Sequence, residues 1–423
     1  MRGWGPRRGG GGGGRYGASG PGLNRWDGRR WVLVSDPVTV FLLEAGPGGL
    51  VAAARLAAGG ADTVVFEEHP EIGAPVHCTG VLASEALSEL SLPRRAVLNA
   101  LSTARFYSPA GLGISYTTPG TEAIVIDRLA FDRAIAAEAE GSGASLRRGV
   151  RVTAVRVERG HAEIDIDTGA VVRARAVILA CGASYAFQRR IGLGMPAVHL
   201  NSAQLELPAA RTGDVELYFG SVWAPRGFAW AVPVTRPSGH FVRIGLMCDG
   251  DASRHFARVA ARLGPSWGVP AEAYAQAPRR RLLPLAPIPR TYADRLLVVG
   301  DAAGLVKPTT GGGIYYSVVS AGIAADVLGD ALRRDALDAA SLSQYQARWR
   351  ARLMPEFRAQ LAMRMLAQRL DDGEIDALFE LAQTDGVMPI VRRTAQFNRH
   401  RDLIVALFRH PPARRILFRR LVG

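Results

Sequence analysis

Asp301 and the glycines Gly311, Gly312 and Gly313 are a set of residues whose types and spacing could do chemistry together. A short apolar run, Leu296 to Val299, ends in Gly300 and Asp301 and crosses the small residues Ala302, Ala303 and Gly304. It then passes Lys307 and Pro308 and enters an Ala- and Ser-rich helix, Ile314 to Leu328, through the three glycines. Such a strand–turn–helix offers a ligand a carboxylate that accepts hydrogen bonds from polyol hydroxyls. It also offers free backbone N–H groups at a helix N-terminus, where the dipole favours an anionic or electron-rich edge. An ordinary glycine turn has the same look in isolation, so the reading depends on what else the chain supplies.

Residues 38–67 supply a second nucleotide-type element. Val38 to Leu43 is an apolar strand, Leu50 to Ala58 a small-residue helix, and Val64 to Phe66 a second strand that ends at Glu67. Between strand and helix lies Glu44-Ala45-Gly46-Pro47-Gly48-Gly49. This is the layout of a dinucleotide-binding βαβ unit. Gly46 lets the backbone approach a pyrophosphate, Gly49 allows close helix–strand packing, and Glu67, followed by Glu68, sits where an acid accepts from ribose hydroxyls. One position departs from the pattern, because Glu44 replaces the first glycine of GxGxxG. A carboxylate there repels a diphosphate and disfavours the turn, unless the loop adjusts or the side chain points away.

Other candidates lie between these two elements. Gly73 to Gly80 is turn-rich and carries Cys78 beside His77; a buried, inert thiol and a site thiol both fit this pattern. Ile124 to Ala137 reads as a strand entering an amphipathic helix at Asp127-Arg128. Val150–Glu158 and Ala162–Thr168 read as a hairpin, and Ala176 to Ala180 as a buried strand ending in Cys181-Gly182-Ala183-Ser184. Three strands ending in small-residue turns suit one elongated ligand at their carboxyl ends. From 200 to 250 the alternation predicts an antiparallel sheet, with Phe228 and Trp230 on one face of a strand, lining a pocket or packing a core.

Composition bounds the partners. The chain has 423 residues and a net charge of +14, and part of that charge lies in a Gly/Arg-rich opening segment. Residues 1–35 lack periodicity and are expected to be disordered. Basic proteins attract nucleic acid, anionic lipid or phosphorylated substrates; repeated RGG units are missing, and nucleic acid is not the expected partner. No run approaches the ~18–20 apolar residues that span a bilayer, and no secretory h-region is visible. Cys78, Cys181 and Cys248 are far apart without metal-ligand spacing, which argues for a reducing compartment and against a structural zinc or disulfide frame. Beyond Leu342 the chain reads as helical. Tyr345, Trp349, Leu353, Phe357, Leu361 and Met365 recur at fours, and Pro355 is expected to kink or break the helix. Ile416 to Leu421 mixes apolar and basic residues, as a solvated terminal helix or a membrane-surface contact does.

Three segments together resemble the geranylgeranyl reductase family of FAD-dependent oxidoreductases, of digeranylgeranylglycerophospholipid reductase type, within the para-hydroxybenzoate-hydroxylase-like flavoproteins. They are Pro75–Gly80 (PVHCTG), Pro225–Pro233 with its aromatic-x-Trp-x-x-Pro core, and VVGDAAGLVKPTTGGGI. The resemblance runs from about Val38 to the C-terminus. It implies an α/β fold: a Rossmann-like FAD-binding domain over 36–199 and 281–340, an inserted antiparallel-sheet substrate domain over 200–280, and a helical region over 341–423. It places Asp301 on the flavin ribityl chain, Gly311, Gly312, Gly313 and Ile314 at the ring, and Gly46, Gly48, Gly49, Glu67, Glu68, Cys78, Arg128 and Gly182 around the cofactor. Cys78, Phe228 and Trp230 become the catalytic candidates, flanking the substrate in front of the flavin.

The implied reaction is saturation of isolated alkenes in a polyprenyl chain, by hydride from reduced FAD plus a proton. NADPH, ferredoxin or another reductant is the expected electron donor, and the expected location is cytoplasmic with peripheral membrane contact. Two alternatives remain open: an FAD-dependent hydroxylase on an apolar substrate, and a flavin-free basic binding protein with a decayed nucleotide site. This sequence departs from its relatives at Glu44, at Cys181-Gly182 where many have Asp-Gly, at Phe228 in place of tyrosine, and in a CxG rather than CxxG cysteine motif.

Overall fold

A computed structural model describes residues 38–384 and 386–419; the segment expected to be disordered, 1–35, lies outside the described residues. The strand Val38–Leu43 is apolar on both faces, as suits a parallel strand covered on both sides. It pairs in parallel with Thr63–Glu67 on one edge and Val171–Leu179 on the other. Leu43 lies opposite Phe66 and Leu179, and Leu179 lies opposite Val298 of the strand Leu296–Val298. Four strands therefore end at one level, and the turns that follow them share one edge of the sheet. Val40, Phe41 and Leu42 are fully buried. Helices Pro47–Ala58, Arg128–Gly141 and Ile314–Arg333 pack together here, and Asp127 caps the second by accepting from the amides of Leu129 and Ala130.

A second, seven-stranded sheet runs Arg279–Pro284, His199–Pro208, Gly239–Cys248, Phe228–Arg236, Val215–Phe219, Thr103–Tyr107, Gly113–Thr117. Its pairs are antiparallel except Val215–Phe219 with Thr103–Tyr107. Two of its strands thus come from 103–117, far upstream of the 200–280 stretch, and its outermost strand spans the 281 boundary. A three-stranded sheet of Val81–Ala83, Ala123–Ile126 and Val97–Leu101 bridges the regions.

The long helix Ala339–Ala367 continues through Pro355, so the proline does not break it. An interior proline costs ~3 kcal/mol, whereas each large apolar side chain it helps to bury contributes about 1.5–3 kcal/mol. Tyr345, Trp349, Leu353 and Phe357 are all buried, and the Tyr345 hydroxyl donates to the Val298 carbonyl at 2.7 Å. The fours do not persist, however. Each step of four advances roughly 40° around a 3.6-residue helix, so Met365 has rotated into solvent (56% exposed) and Gln360 and Arg364 take the buried face. Helices Asp372–Thr384, Val387–Thr394, Arg401–Arg409 and Pro411–Phe418 complete the chain. Among the described residues no helix is long and apolar enough to cross a membrane.

Candidate functional site

The common edge of the first sheet opens into a cleft of about 1450 Å³ that continues between the second sheet and the C-terminal helices. At the sheet edge, Gly46 has open space where a Cβ would stand, so its backbone is free for close approach by a ligand. Gly48 and Gly49 are glycine for packing reasons. A Cβ at Gly48 would lie 2.5 Å from Ser317 Oγ, and one at Gly49 would lie 2.3 Å from the Glu44 carbonyl oxygen. Gly49 accordingly supports the loop from beneath, whereas Gly46 and Gly48 line the cleft. Glu67 is buried at the end of its strand and accepts from the amides of Ala45 (2.8 Å) and His69 (3.0 Å). Glu68 lines the cleft and pairs with Arg151 at 3.0 Å.

Glu44 keeps the glycine-like backbone, with φ of 74°, and its side chain lines the cleft rather than turning away. Burial, with Glu67 and Glu68 adding repulsion, pushes its carboxyl up to about 8, and Arg281 pulls the other way. A protonated Glu44 adds no negative charge where a diphosphate would lie.

Asp301 follows the strand Leu296–Val298 in a single 3₁₀ turn. Its carboxyl is raised by burial, opposed by Arg281 and Arg128, and no other residue among those described donates to it. Gly311 has φ of 75°, and its amide donates to the Lys307 carbonyl at 2.9 Å while the Lys307 amide donates to Gly312 at 3.0 Å. This closed loop presents Gly312 and Gly313, the latter capping the helix that begins at Ile314. A Cβ at Gly313 would stand 2.6 Å from Asp301 Oδ1. Carboxylate and helix N-terminus thus adjoin. An extended nucleotide, a polyol arm and a ring with hydrogen-bonding edges fit this row of Gly46, Glu67, Asp301 and Gly312–Ile314, so the residues present fit FAD.

The walls beyond the glycines carry the side chains expected to react, Cys78, Phe228 and Trp230. Cys78 Sγ accepts from the Gly80 amide at 3.3 Å, and Arg128 lies beside it while forking onto Asp132 at 3.1 and 2.7 Å. His77 is held below its ordinary pKa by burial first and then by Arg281, and its Nδ1 is buried without a partner. Thr79 donates to Gln204 at 2.8 Å, and Arg243, 2% exposed, donates to the carbonyls of Thr79 and Ile126. These bonds fasten the Cys78 loop to the second sheet. Phe228 and Trp230 line the cleft with ring centroids 5.8 Å apart, and both also belong to the apolar cluster around Leu200, Met247 and Leu285. Trp230 Nε1 is buried without a partner. Gly182 lines the cleft, where a Cβ would stand 2.7 Å from Arg281 Nη2.

Sequence reasoning missed the far end of the cleft. Phe219, Phe379, Met388, Val391, Leu403 and Ile404 line it, drawn from one strand and three helices. It also missed the clasp under the glycine loop. Arg364, 6% exposed, donates to the carbonyls of Pro308 (2.7 Å), Thr309 (3.0 Å) and Arg226 (3.0 Å), and burial lowers it to about 10. Lys307 Nζ donates to the Phe397 carbonyl at 2.8 Å and sits 4.3 Å from that ring's centroid; burial lowers it to about 7. His400 reaches the same carbonyl at 2.9 Å and Thr309 Oγ1 at 2.7 Å. Sequence carried one signal for Arg364, its place on the 3.6-residue continuation of the buried stripe. The arginines at 279–281 were a signal for Arg281.

Comparison with known proteins follows the same lines. Residues 258–384 match the lycopene cyclase protein family. A digeranylgeranylglycerophospholipid reductase of Methanoculleus marisnigri is 30% identical over 366 residues, covering 81% of this chain and 89% of that one. Among solved structures, a geranylgeranyl bacteriochlorophyll reductase-like protein of Thermoplasma acidophilum superposes with a TM-score of 0.76 at 23% identity, over 90% of this chain and 98% of the other. A flavoprotein/dehydrogenase of Cytophaga hutchinsonii gives 0.63 at 16% identity, over 90% and 96%.

Proposed function

The chain belongs to the digeranylgeranylglycerophospholipid reductase family, and from that premise we propose how its residues use FAD to saturate isolated carbon–carbon double bonds of a polyprenyl lipid. One observation carries the reading: the glycine-and-carboxylate row and the apolar far end belong to a single cleft of about 1450 Å³. Typical small-molecule pockets occupy ~300–1,000 Å³, and a flavin plus a long hydrocarbon chain needs more.

Asp301 would accept from the ribityl hydroxyls, Gly312 and Gly313 would donate to the ring edge, and Glu67 with Glu68 would serve the ribose. Reduced FAD, when bound there, would supply a hydride. An isolated alkene has no carbonyl to accept charge, so the protein must deliver a proton to the less substituted carbon and steady positive charge at the more substituted one. The π-faces of Phe228 and Trp230 answer the second need. The apolar wall excludes water from that carbon. Cys78, fixed by the Gly80 amide and flanked by Arg128, holds the proton or positions the chain for it, with His77 beside it.

Two electrons must be replaced after each saturation, and we assign that to NADPH, ferredoxin or another external reductant. A lipid of this length resides in a bilayer, so the protein works from the cytoplasmic side in peripheral contact with a membrane. Anaerobic incubation of the dithionite-reduced holoenzyme with a panel of prenyl lipids tests the reaction by mass spectrometry. The expected product gains two hydrogens for every double bond reduced. Unchanged lipid there, together with rapid lipid-independent consumption of NADPH and oxygen in a separate aerobic assay, would instead indicate a hydroxylase.

A further inference from the structure

We propose that the C-terminal helices Val387–Thr394, Arg401–Arg409 and Pro411–Phe418 form a docking surface for an anionic lipid bilayer and hold the apolar end of the cleft against it. The inference rests on the prenyl-lipid reading above and names the surface through which the lipid is reached. Residues 386–419 contain eight arginines and one acidic residue, Asp402. The arginines at 392, 393, 399, 401, 409, 414, 415 and 419 are all exposed. Among the described residues none of their side chains pairs with a carboxylate, whereas many arginines elsewhere do.

In the preceding helix, Asp372–Thr384, two carboxylates are engaged elsewhere, Asp372 with Ser221 and Asp376 with the amide of Ala110. Eight cations with no carboxylate partner among the described residues, all in one short segment, make a local field that concentrates anions.

Charge alone would suit nucleic acid equally well. The first two of these helices, however, also build the cleft, and Pro411–Phe418 packs beside them. Met388, Val391, Leu403, Ile404 and Leu407 face its interior, one to four residues from exposed arginines. Ile390, Val405, Phe408, Ile416 and Phe418 are only half-buried, and the Phe408 and Phe418 rings meet at 5.3 Å. Cationic heads beside half-buried aliphatic and aromatic groups match a headgroup layer with acyl chains beneath it. A hydrocarbon chain leaving that layer enters an apolar wall made by the same elements.

The test uses the full-length holoenzyme and vesicles of phosphatidylcholine, with or without phosphatidylglycerol. Co-sedimentation is expected with the anionic vesicles only, and it should fade as salt rises. Replacing Arg392, Arg393, Arg414 and Arg415 with Glu should lower partitioning at least about ten-fold, and replacing the same four with Lys should preserve it. Reversing Arg2, Arg7, Arg8 and Arg15 to Glu should leave it unchanged. Turnover of prenyl lipid in anionic vesicles should fall with the first variant, while turnover of detergent-dispersed lipid stays within about two-fold.

Equal sedimentation with neutral vesicles, unchanged binding by the Glu variant, loss of binding in the N-terminal variant, or tighter binding to duplex DNA than to anionic vesicles would each overturn the proposal. If vesicle binding behaves as expected but neither form of lipid is reduced, the reaction assignment fails and the docking surface stands.

Discussion

The two ends of the cleft are made differently. At the nucleotide end, each functional group follows a strand by a few residues: Glu44 and Gly46 after Leu43, Glu67 closing its strand, Asp301 after Val298. Parallel register alone brings them together. At the apolar end, Phe219, Phe379, Val391 and Leu403 are joined only by packing of separate elements. Local geometry therefore fixes the proposed cofactor row, and long-range packing fixes what lies in front of it. Arg364 is where the two meet, since one guanidinium binds the glycine loop at Pro308 and Thr309 and the approach to the second sheet at Arg226.

That division can be broken from either side. The largest effect is expected at the nucleotide end. Asp301→Ala removes an acceptor of charge-assisted hydrogen bonds, worth about 1.5–3 kcal/mol, and should weaken FAD binding roughly ten- to hundred-fold by fluorescence titration without changing the fold. Arg364→Met strands three carbonyls and should cost about 2–3 kcal/mol in urea unfolding of the holoenzyme, with weaker FAD retention and slower lipid turnover appearing together. Loss of one without the other would show that the two ends are not coupled through this residue.

Cys78→Ala should leave the protein yellow and lower turnover at least about ten-fold, an effect confined to the reaction; near-wild-type turnover would remove Cys78 from the mechanism.

The smallest effect concerns Glu44. Its carboxyl is raised to about 8, so the folded chain keeps the proton below that pH and loses it above. The charged form then faces Glu67 and Glu68 with Arg281 and His69 nearby, and repels a diphosphate. FAD affinity should fall several-fold as pH rises through about 8, and Glu44→Gly should flatten that profile. A wild-type profile already flat from neutral to alkaline pH would show that Glu44 does not face the cofactor's phosphates.

How much could be read from sequence follows the same line. The βαβ unit at 38–67 and the strand–turn–helix at 296–328 were legible because glycines, strand ends and a terminal acid lie within one another's local reach. The hairpin near 152–166 was legible from alternation. Arg364 and Lys307 were not, because their partners lie 55 to 138 and 90 residues away. The strands within 103–117 join the second sheet through pairing with Val215–Phe219, which no local pattern announces. Pro355 does not break its helix, because a local cost was offset by aromatic burial along one face of a long helix.

The continuity of the two ends is tested most directly by the flavin's own absorbance. A saturated polyprenyl lipid, which cannot react, should perturb the flavin bands of the oxidised holoenzyme with one-to-one stoichiometry. Val391→Trp, which fills the apolar end, should abolish that perturbation and leave FAD affinity within about two-fold. A full perturbation in the tryptophan variant, or none in the wild type, would contradict the account.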